Sequence, residues 1–364
     1  MLNLIVILSS ILVVAILFMI FRISNLVGIV KGRPEDGKPD AQNKLNANLF
    51  LWFLIVGMVA FFWYSVKTFD QYNLPLASEH GAVTDMLFWV TMAVSVIVFF
   101  VVNIVLFYFA FVYQYKEGNK ATFFADNTKL ELIWTVVPAI VLTGLIFTGL
   151  NAWNDITGEA SEDAEVIEVV AQQFGWSTRY PGVKDNTLGN YHYQLIGPVN
   201  EFGLDLTDPN TYDDFKALEL HLPKGKEVLL KIRAKDVLHS VFLPHFRVKM
   251  DAVPGMPTHF KFIPTKSTAE MRAETGNPDF NYELACTEIC GYGHFSMRML
   301  VVVHEPADFE KWKAEQEPWL KQNPEFLEKV PANLREMAMI KAGFDIDEVA
   351  ASAQIGNSNL VTTK

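Results

Sequence analysis

Four apolar runs, at residues 1–21, 48–66, 86–113 and 132–150, decide most of what this chain can become. A helix needs roughly 20 apolar residues to cross the hydrocarbon core, and each run is about that long. Four transmembrane helices are therefore expected. The first run has no basic residues ahead of it and no small-residue cleavage site behind it, so it reads as a retained helix rather than a leader. Basic residues set the orientation. The stretch after the first run carries Arg22, Lys31, Arg33, Lys38 and Lys44, and the stretch after the third carries Lys116, Lys120 and Lys129. Between the second and third runs only Lys67 stands, against Asp70, Glu79 and Asp85. Positive charge stays on the cytoplasmic side, so both termini and everything after residue 150 should lie outside. At the entry to the last run, Glu131, Trp134 and Pro138 read by themselves as an interfacial acid, an aromatic anchor and a tolerated kink.

From Asn151 onward the pattern changes to short β-rich runs, clearest at 165–172, 227–233, 259–263, 282–285 and 297–304. Turn signals separate them, at Pro181-Gly182, Pro223-Lys224-Gly225 and Val253-Pro254-Gly255. Such spacing predicts a β-sandwich or barrel. Residues 185–215 are rich in Asn, Asp, Gly and Pro and read as a surface excursion rather than core. The tail, 305–364, returns to helix-forming composition, with Trp312 and Trp319 on a charged background, and should pack on the domain as a helix or two. A formal net charge of −11 argues against nucleic acid, which needs a positive surface. An acidic surface serves solubility and also suits a basic partner.

Chemistry concentrates at Cys286-Thr287-Glu288-Ile289-Cys290-Gly291-Tyr292-Gly293-His294-Phe295-Ser296-Met297, which holds the only two cysteines of the chain. Thiolates and thioethers suit soft metals, and imidazole suits copper and zinc alike. A disulfide would not need His294 and Met297 beside it. A structural zinc site would leave Met297 surplus, and a single blue-copper centre would leave one cysteine unused. Thiolates that bridge two coppers use every donor, and such a site wants a second imidazole. A Cys-x-x-x-Cys redox pair is a further reading, but it predicts a thioredoxin-type βαβ pattern that this strand-rich region lacks. Covalent haem attachment, glycine-rich phosphate loops and a Gly-x-Ser-x-Gly elbow have no motif here. Among the eight histidines, His80, His192, His221, His245, His259 and His304 lack a distinguishing context. His239 differs: it sits in Asp236-Val237-Leu238-His239-Ser240, at the end of a strand run.

Together, Asp-Val-Leu-His-Ser and Cys-x-Glu-x-Cys-Gly-x-x-His-x-x-Met resemble subunit II of the haem–copper cytochrome c oxidases, over roughly residues 85–304. The resemblance implies a cupredoxin-like β-sandwich with a dinuclear CuA centre. In it Cys286 and Cys290 bridge, His239 and His294 give one imidazole per copper, Met297 is axial to one copper and the Glu288 carbonyl is a ligand of the other. It also implies a magnesium ion on the Glu288 side chain, shared with the catalytic subunit. Glu131 matches an acid at a proton-path entry, and Asp236 an acid that docks cytochrome c. The implied role is electron entry from a c-type cytochrome, toward haem in subunit I, beside subunit III, coupled to proton translocation. Partners could be gathered in a respiratory supercomplex in a bacterial inner membrane, with the copper domain on the periplasmic face. A quinol-oxidising relative would have lost the copper ligands, which are all present here.

The resemblance divides the chain into two additional helices (1–67), a two-helix anchor (68–150), the copper domain (151–304) and a helical tail (305–364). It also marks departures. The two additional helices are one. Another is Ala171-Gln172-Gln173-Phe174-Gly175-Trp176, which puts Phe174 where relatives carry an electron-entry tryptophan and leaves Trp176 as the alternative.

Overall fold

In a computed structural model of the protein, residues 2–30, 41–116, 118–183 and 185–345 are described. Met1, the basic residues Lys31, Arg33 and Lys38, and tail residues 346–364 lie outside them. The chain forms two compact units, Met1–Asp70 with Met92–Thr135, and Gln71–Thr91 with Val136–Lys364.

Four long helices come first: α1 (Leu2–Val30), α2 (Ala41–Tyr72), α3 (Gly81–Val112) and α4 (Thr128–Thr157). Each contains a stretch long and apolar enough to span a membrane. The helices run past the apolar runs into polar flanks. At the start of α4, Asn127 Oδ1 accepts the Leu130 N–H at 3.1 Å, and Glu131 Oε1 reaches back to the Asn127 N–H at 3.4 Å. Both bonds satisfy donors at the helix start, with Glu131 one position beyond the glutamate of a capping box. Helices α2 and α3 meet through phenylalanines at helical spacing. Phe50 and Phe53 meet Phe107 at 6.0 and 5.6 Å, and Phe62 stacks on Phe100 at 5.0 Å.

The second unit is a sandwich of two five-stranded sheets. Its strands are β1 (Glu165–Gln172), β2 (Gly175–Tyr180), β3 (Phe215–Ala217), β4 (Leu220–Pro223), β5 (Val228–Ala234), β6 (His239–Leu243), β7 (Val248–Ala252), β8 (Thr258–Phe262), β9 (Tyr282–Cys286) and β10 (Arg298–His304). One sheet runs β3-β2-β1-β5-β8 and the other β4-β10-β9-β6-β7. Alternating residues fill the space between them: Ile167, Val169 and Ala171 from β1, Leu230 and Ile232 from β5, Val241 and Leu243 from β6, Leu284 from β9. All five expected strand runs are strands. His239, however, opens β6 rather than ending a run. Asp236 breaks the chain after β5 by taking the Val237 N–H on its own carboxylate at 2.8 Å.

Of residues 185–215, expected as a surface excursion, 185–199 are mostly exposed but much of 200–215 is buried. Phe202, Leu204, Leu206 and Tyr212 are buried, in a second core with Val170 on the outer face of β1 and Trp319, Leu320 and Ala338 of the tail. Some of the polar residues that suggested a surface brace the backbone of this segment instead. Asn200 exchanges two hydrogen bonds with the Leu204 backbone, and Asp208 accepts the N–H groups of Asn190 and Asn210. A buried ion network lies under it. Glu168 accepts from Arg179 Nε (2.6 Å) and Arg233 Nε (2.7 Å), and Arg179 reaches Asp214 at 2.8 Å. After α5 (Thr268–Thr275), which lies between β8 and β9, the helices of the described tail are α6 (Pro306–Ala314), α7 (Trp319–Gln322) and α8 (Arg335–Lys341). On α6, Lys313 meets the buried Glu165 at 2.6 Å.

The segment between α2 and α3 belongs to the sandwich. Ala77 is buried in the main core, its N–H bonds the His245 carbonyl at 2.8 Å, and its carbonyl takes the Thr265 N–H at 2.9 Å. Arg247 clamps this segment through Asp85 (2.7 Å) and the Leu74 carbonyl (2.9 Å).

Candidate metal centre

Register brings the donors to one end of one sheet. Strand β6 pairs with β9 so that Val241 faces Cys286, which puts His239 just past the end of β9. On the other side of β9, the Cys286 N–H donates to the Met297 carbonyl at 3.1 Å, at the point where β10 begins. Three adjacent strands thus fix His239, Cys286 and Met297, and the loop between β9 and β10 carries Cys290 and His294 over them. Gly291 at φ +134° takes a conformation that favours glycine, and a short 3-10 turn at His294–Ser296 returns the chain to β10.

The six donors expected from the sequence converge. Cys286 Sγ lies 3.9 Å from Cys290 Sγ, 3.9 Å from His239 Nδ1 and 3.2 Å from the Glu288 carbonyl oxygen. Cys290 Sγ lies 3.7 Å from His294 Nδ1 and 3.8 Å from Met297 Sδ. Both cysteines are free and buried, and His239, Cys286 and Cys290 form a group able to hold a metal ion. The arrangement has two halves around a thiol pair, each with one imidazole and one weaker donor. A single tetrahedral zinc would leave two of these six idle. The set suits soft metal ions, copper first among them. Burial, with the Cys286 sulfur beside it, pushes the Cys290 thiol up to about 11, so two thiolates side by side call for a cation.

The surroundings orient these donors. Asp236 Oδ1 takes a hydrogen bond from His239 Nε2 at 2.9 Å, which leaves Nδ1 with its lone pair toward the sulfur. Partial burial works against ionisation of Asp236, but His239 and the N–H groups of Gln173 and Val237 outweigh it and hold the carboxyl below its usual range. From the other sheet, the β1–β2 turn crosses the loop. Gln173 donates its backbone N–H to Asp236 Oδ2 at 2.7 Å and its side-chain amide to the Cys290 carbonyl at 2.6 Å. The Phe174 ring lies against the loop backbone: a methyl group on Gly293 would meet its Cγ at 2.5 Å.

Phe174 and Trp176 therefore differ in placement. Phe174 is 42% exposed at the rim, whereas Trp176 is 9% exposed and packs edge-on against His239 with ring centroids 6.1 Å apart. The Glu288 side chain is exposed while its carbonyl faces Cys286. Glu131 stands in the first turn of α4, in the helical unit. Sequence reasoning singled out neither Gln173 nor the pair His221 and His304. That pair shares a 2.7 Å contact between Nδ1 and Nε2, and His221 stacks on Trp312 at 3.9 Å. Gln173 had one available signal, its place directly before Phe174. The histidine pair had none, since its members are 83 residues apart.

Comparison with known proteins matches residues 69–151 to the family model of the cytochrome c oxidase subunit II transmembrane domain and residues 165–304 to that of its periplasmic domain. The alternative cytochrome c oxidase subunit 2 of Bradyrhizobium diazoefficiens is 34% identical over 273 residues, 74% of this chain and 91% of that protein. Cytochrome c oxidase subunit 2 of Thermostichus vulcanus is 28% identical over 261 residues, 65% of this chain and 76% of that protein. Among solved structures, the periplasmic domain of subunit II of Bradyrhizobium japonicum cytochrome oxidase aligns with a TM-score of 0.29 at 22% identity, over 43% of this chain and 94% of that one.

Proposed function

The chain belongs to the cytochrome c oxidase subunit II family, and from that premise we propose that its two buried cysteines hold a dinuclear copper centre of the CuA type. His239, Cys286, Cys290, His294, Met297 and the Glu288 carbonyl are its ligands. The observation that carries this reading is the two-halved donor set, in which each thiol has its own imidazole within 3.9 Å. When bound, the copper pair supplies a one-electron relay between a c-type cytochrome and haem in subunit I, where oxygen is reduced and protons are translocated.

The protein holds the donors in place and buries His239, Cys286, Cys290 and Met297. Strand pairing fixes His239, Cys286 and Met297, and Trp176 and Phe174 close the site from the other sheet. A rigid shell limits ligand movement on each transfer. Phe174 at the rim is the entry point for electrons, with Trp176 behind it against His239. The Glu288 carboxylate binds magnesium at the border with subunit I, Asp236 contributes to cytochrome docking, and Glu131 opens a proton path. Subunit III completes the oxidase, and a respiratory supercomplex would keep the donor close. Residues 151–304 form the copper domain, on the periplasmic face of a bacterial inner membrane. Residues 68–150 anchor it, with 1–67 and 305–364 as additions.

Purification of the intact oxidase in mild detergent, followed by metal analysis and EPR, tests the reading. Two coppers per chain with a shared-electron spectrum are expected. Copper-free protein, or the spectrum of one localised copper, would overturn it.

A further inference from the structure

Gln173 is not a donor itself, but it hydrogen-bonds both Asp236, which orients His239, and the Cys290 backbone. Its backbone N–H holds Asp236 Oδ2 at 2.7 Å, and Asp236 Oδ1 in turn orients His239 at 2.9 Å. Its side-chain amide donates to the Cys290 carbonyl at 2.6 Å. Residues 173 and 290 stand 117 positions apart and come from different sheets, so this contact is a tertiary clamp and not a local turn. The carbonyl it holds precedes Gly291, whose backbone at φ +134° has few alternatives for any other residue. The fit is close there: a methyl group on Gly291 would come within 3.0 Å of both Gln173 Nε2 and the Phe174 ring. Cys290 Sγ is the sulfur that lies beside Cys286, His294 and Met297 together. A rotation of the Cys290–Gly291 peptide would therefore disturb three donor contacts at once.

We propose that Gln173 is a positioning residue that sets the His239 half and the Cys290 half of the centre in one fixed relation, and that it seats Phe174 on the loop. This rests on the copper reading above. A side chain with no donor leaves the Cys290 carbonyl unheld while the strand core under it is unchanged. The donors can then relax independently, and an outer contact of this kind is worth roughly 10- to 100-fold in metal affinity.

The experiment compares intact detergent-purified oxidase carrying the unmodified chain, Gln173→Met, Gln173→Asn or Gln172→Met. Methionine matches the length of glutamine without its N–H groups, and asparagine keeps the amide but falls one methylene short. Gln172 accepts from Lys235 Nζ at 2.9 Å and has no bond to the loop, so its variant is the control. Copper retention against a competing chelator and the EPR hyperfine pattern are the readouts. Both Gln173 variants should lose copper about 10-fold more readily and show an altered hyperfine pattern, with Gln172→Met like the unmodified chain. If the Gln173 variants keep the unmodified spectrum and retention, or if Gln172→Met changes them equally, the clamp has no such role. An unmodified oxidase without a shared-electron spectrum would sink the copper reading itself, and that result separates the two failures.

Discussion

Asp236→Asn isolates what the carboxylate does for His239. The carboxylate accepts three hydrogen bonds: His239 Nε2 at 2.9 Å, the Gln173 N–H at 2.7 Å and the Val237 N–H at 2.8 Å. Asparagine keeps one oxygen and replaces the other with an NH2 group. One of the two oxygen positions serves Gln173 alone and the other serves His239 with Val237, so either amide orientation sets a donor against a donor. If the NH2 faces His239, the imidazole is pressed to move its proton to Nδ1, the nitrogen 3.9 Å from Cys286 Sγ, and a metal loses that lone pair. If it faces Gln173, the turn that carries Phe174 is pushed off. Loss of such an outer partner costs roughly 10- to 100-fold in metal affinity, or about 1.4 to 3 kcal/mol. Chelator competition on the purified oxidase measures it, with EPR on the same samples. A docking role alone would act elsewhere, raising KM for cytochrome c and flattening its salt dependence while copper binding stays as it was. Copper affinity within about twofold of the unmodified protein, with an unchanged spectrum, would refute the orienting role.

Other perturbations read other parts of the molecule. Glu168→Gln leaves the buried Arg179 and Arg233 short of a counter-charge and should cost about 3–5 kcal/mol, seen as a lower thermal midpoint; an unchanged midpoint would mean the network is idle. Gly293→Ala puts a methyl group 2.5 Å from Phe174 Cγ and should destabilise by about 1–3 kcal/mol. In a Phe174→Ala background, where only the Cβ contact at 3.0 Å remains, the same change should cost less, and equal costs in the two backgrounds would show the ring clash to be absent. Burial against Trp312, with His304 alongside, holds His221 down to about 4 from an ordinary 6.5. A depressed folded value means that its contribution is present above pH 6.5 and is lost as pH falls toward 4. Amide exchange across Pro306–Ala314 should therefore quicken over that window, and less so in His221→Gln, with His304, Glu219 and Asp308 as the other titrating neighbours. Identical pH profiles in the two proteins would refute the link.

Where each residue's environment is set by its own neighbours in sequence, the reading from sequence and the structure agree. The four spans are long enough to declare themselves by composition. Cys286 to Met297 lie on one loop, so their spacing alone suggested a common site. His239 joins them only through the pairing of β6 with β9, which no local pattern announces; the family resemblance supplied it. Residues 185–215 misled because composition reports how many polar groups a segment has, not what they bond to. Here Asn200 serves the buried Leu204 backbone and Asp208 braces the turns beside it, so part of a polar stretch covers a core. Gln173 was hidden for a related reason. It is exposed by area, and its importance lies in two contacts made across 63 and 117 positions of chain.

The short link between α2 and α3 has a consequence for biogenesis. Ser78 donates to the Phe246 carbonyl at 2.6 Å across 168 positions of sequence, and its neighbour Ala77 fills the main core. During synthesis this piece is made long before the strands that close on it, and such long-range pairings form late. The sandwich therefore completes its main core with a residue from outside its own contiguous stretch. Removing residues 73–80 should accordingly lower the stability of the sandwich that carries the donor set. A secreted version begun at residue 151 should regain cooperativity when residues 73–80 are supplied as a peptide or spliced back in.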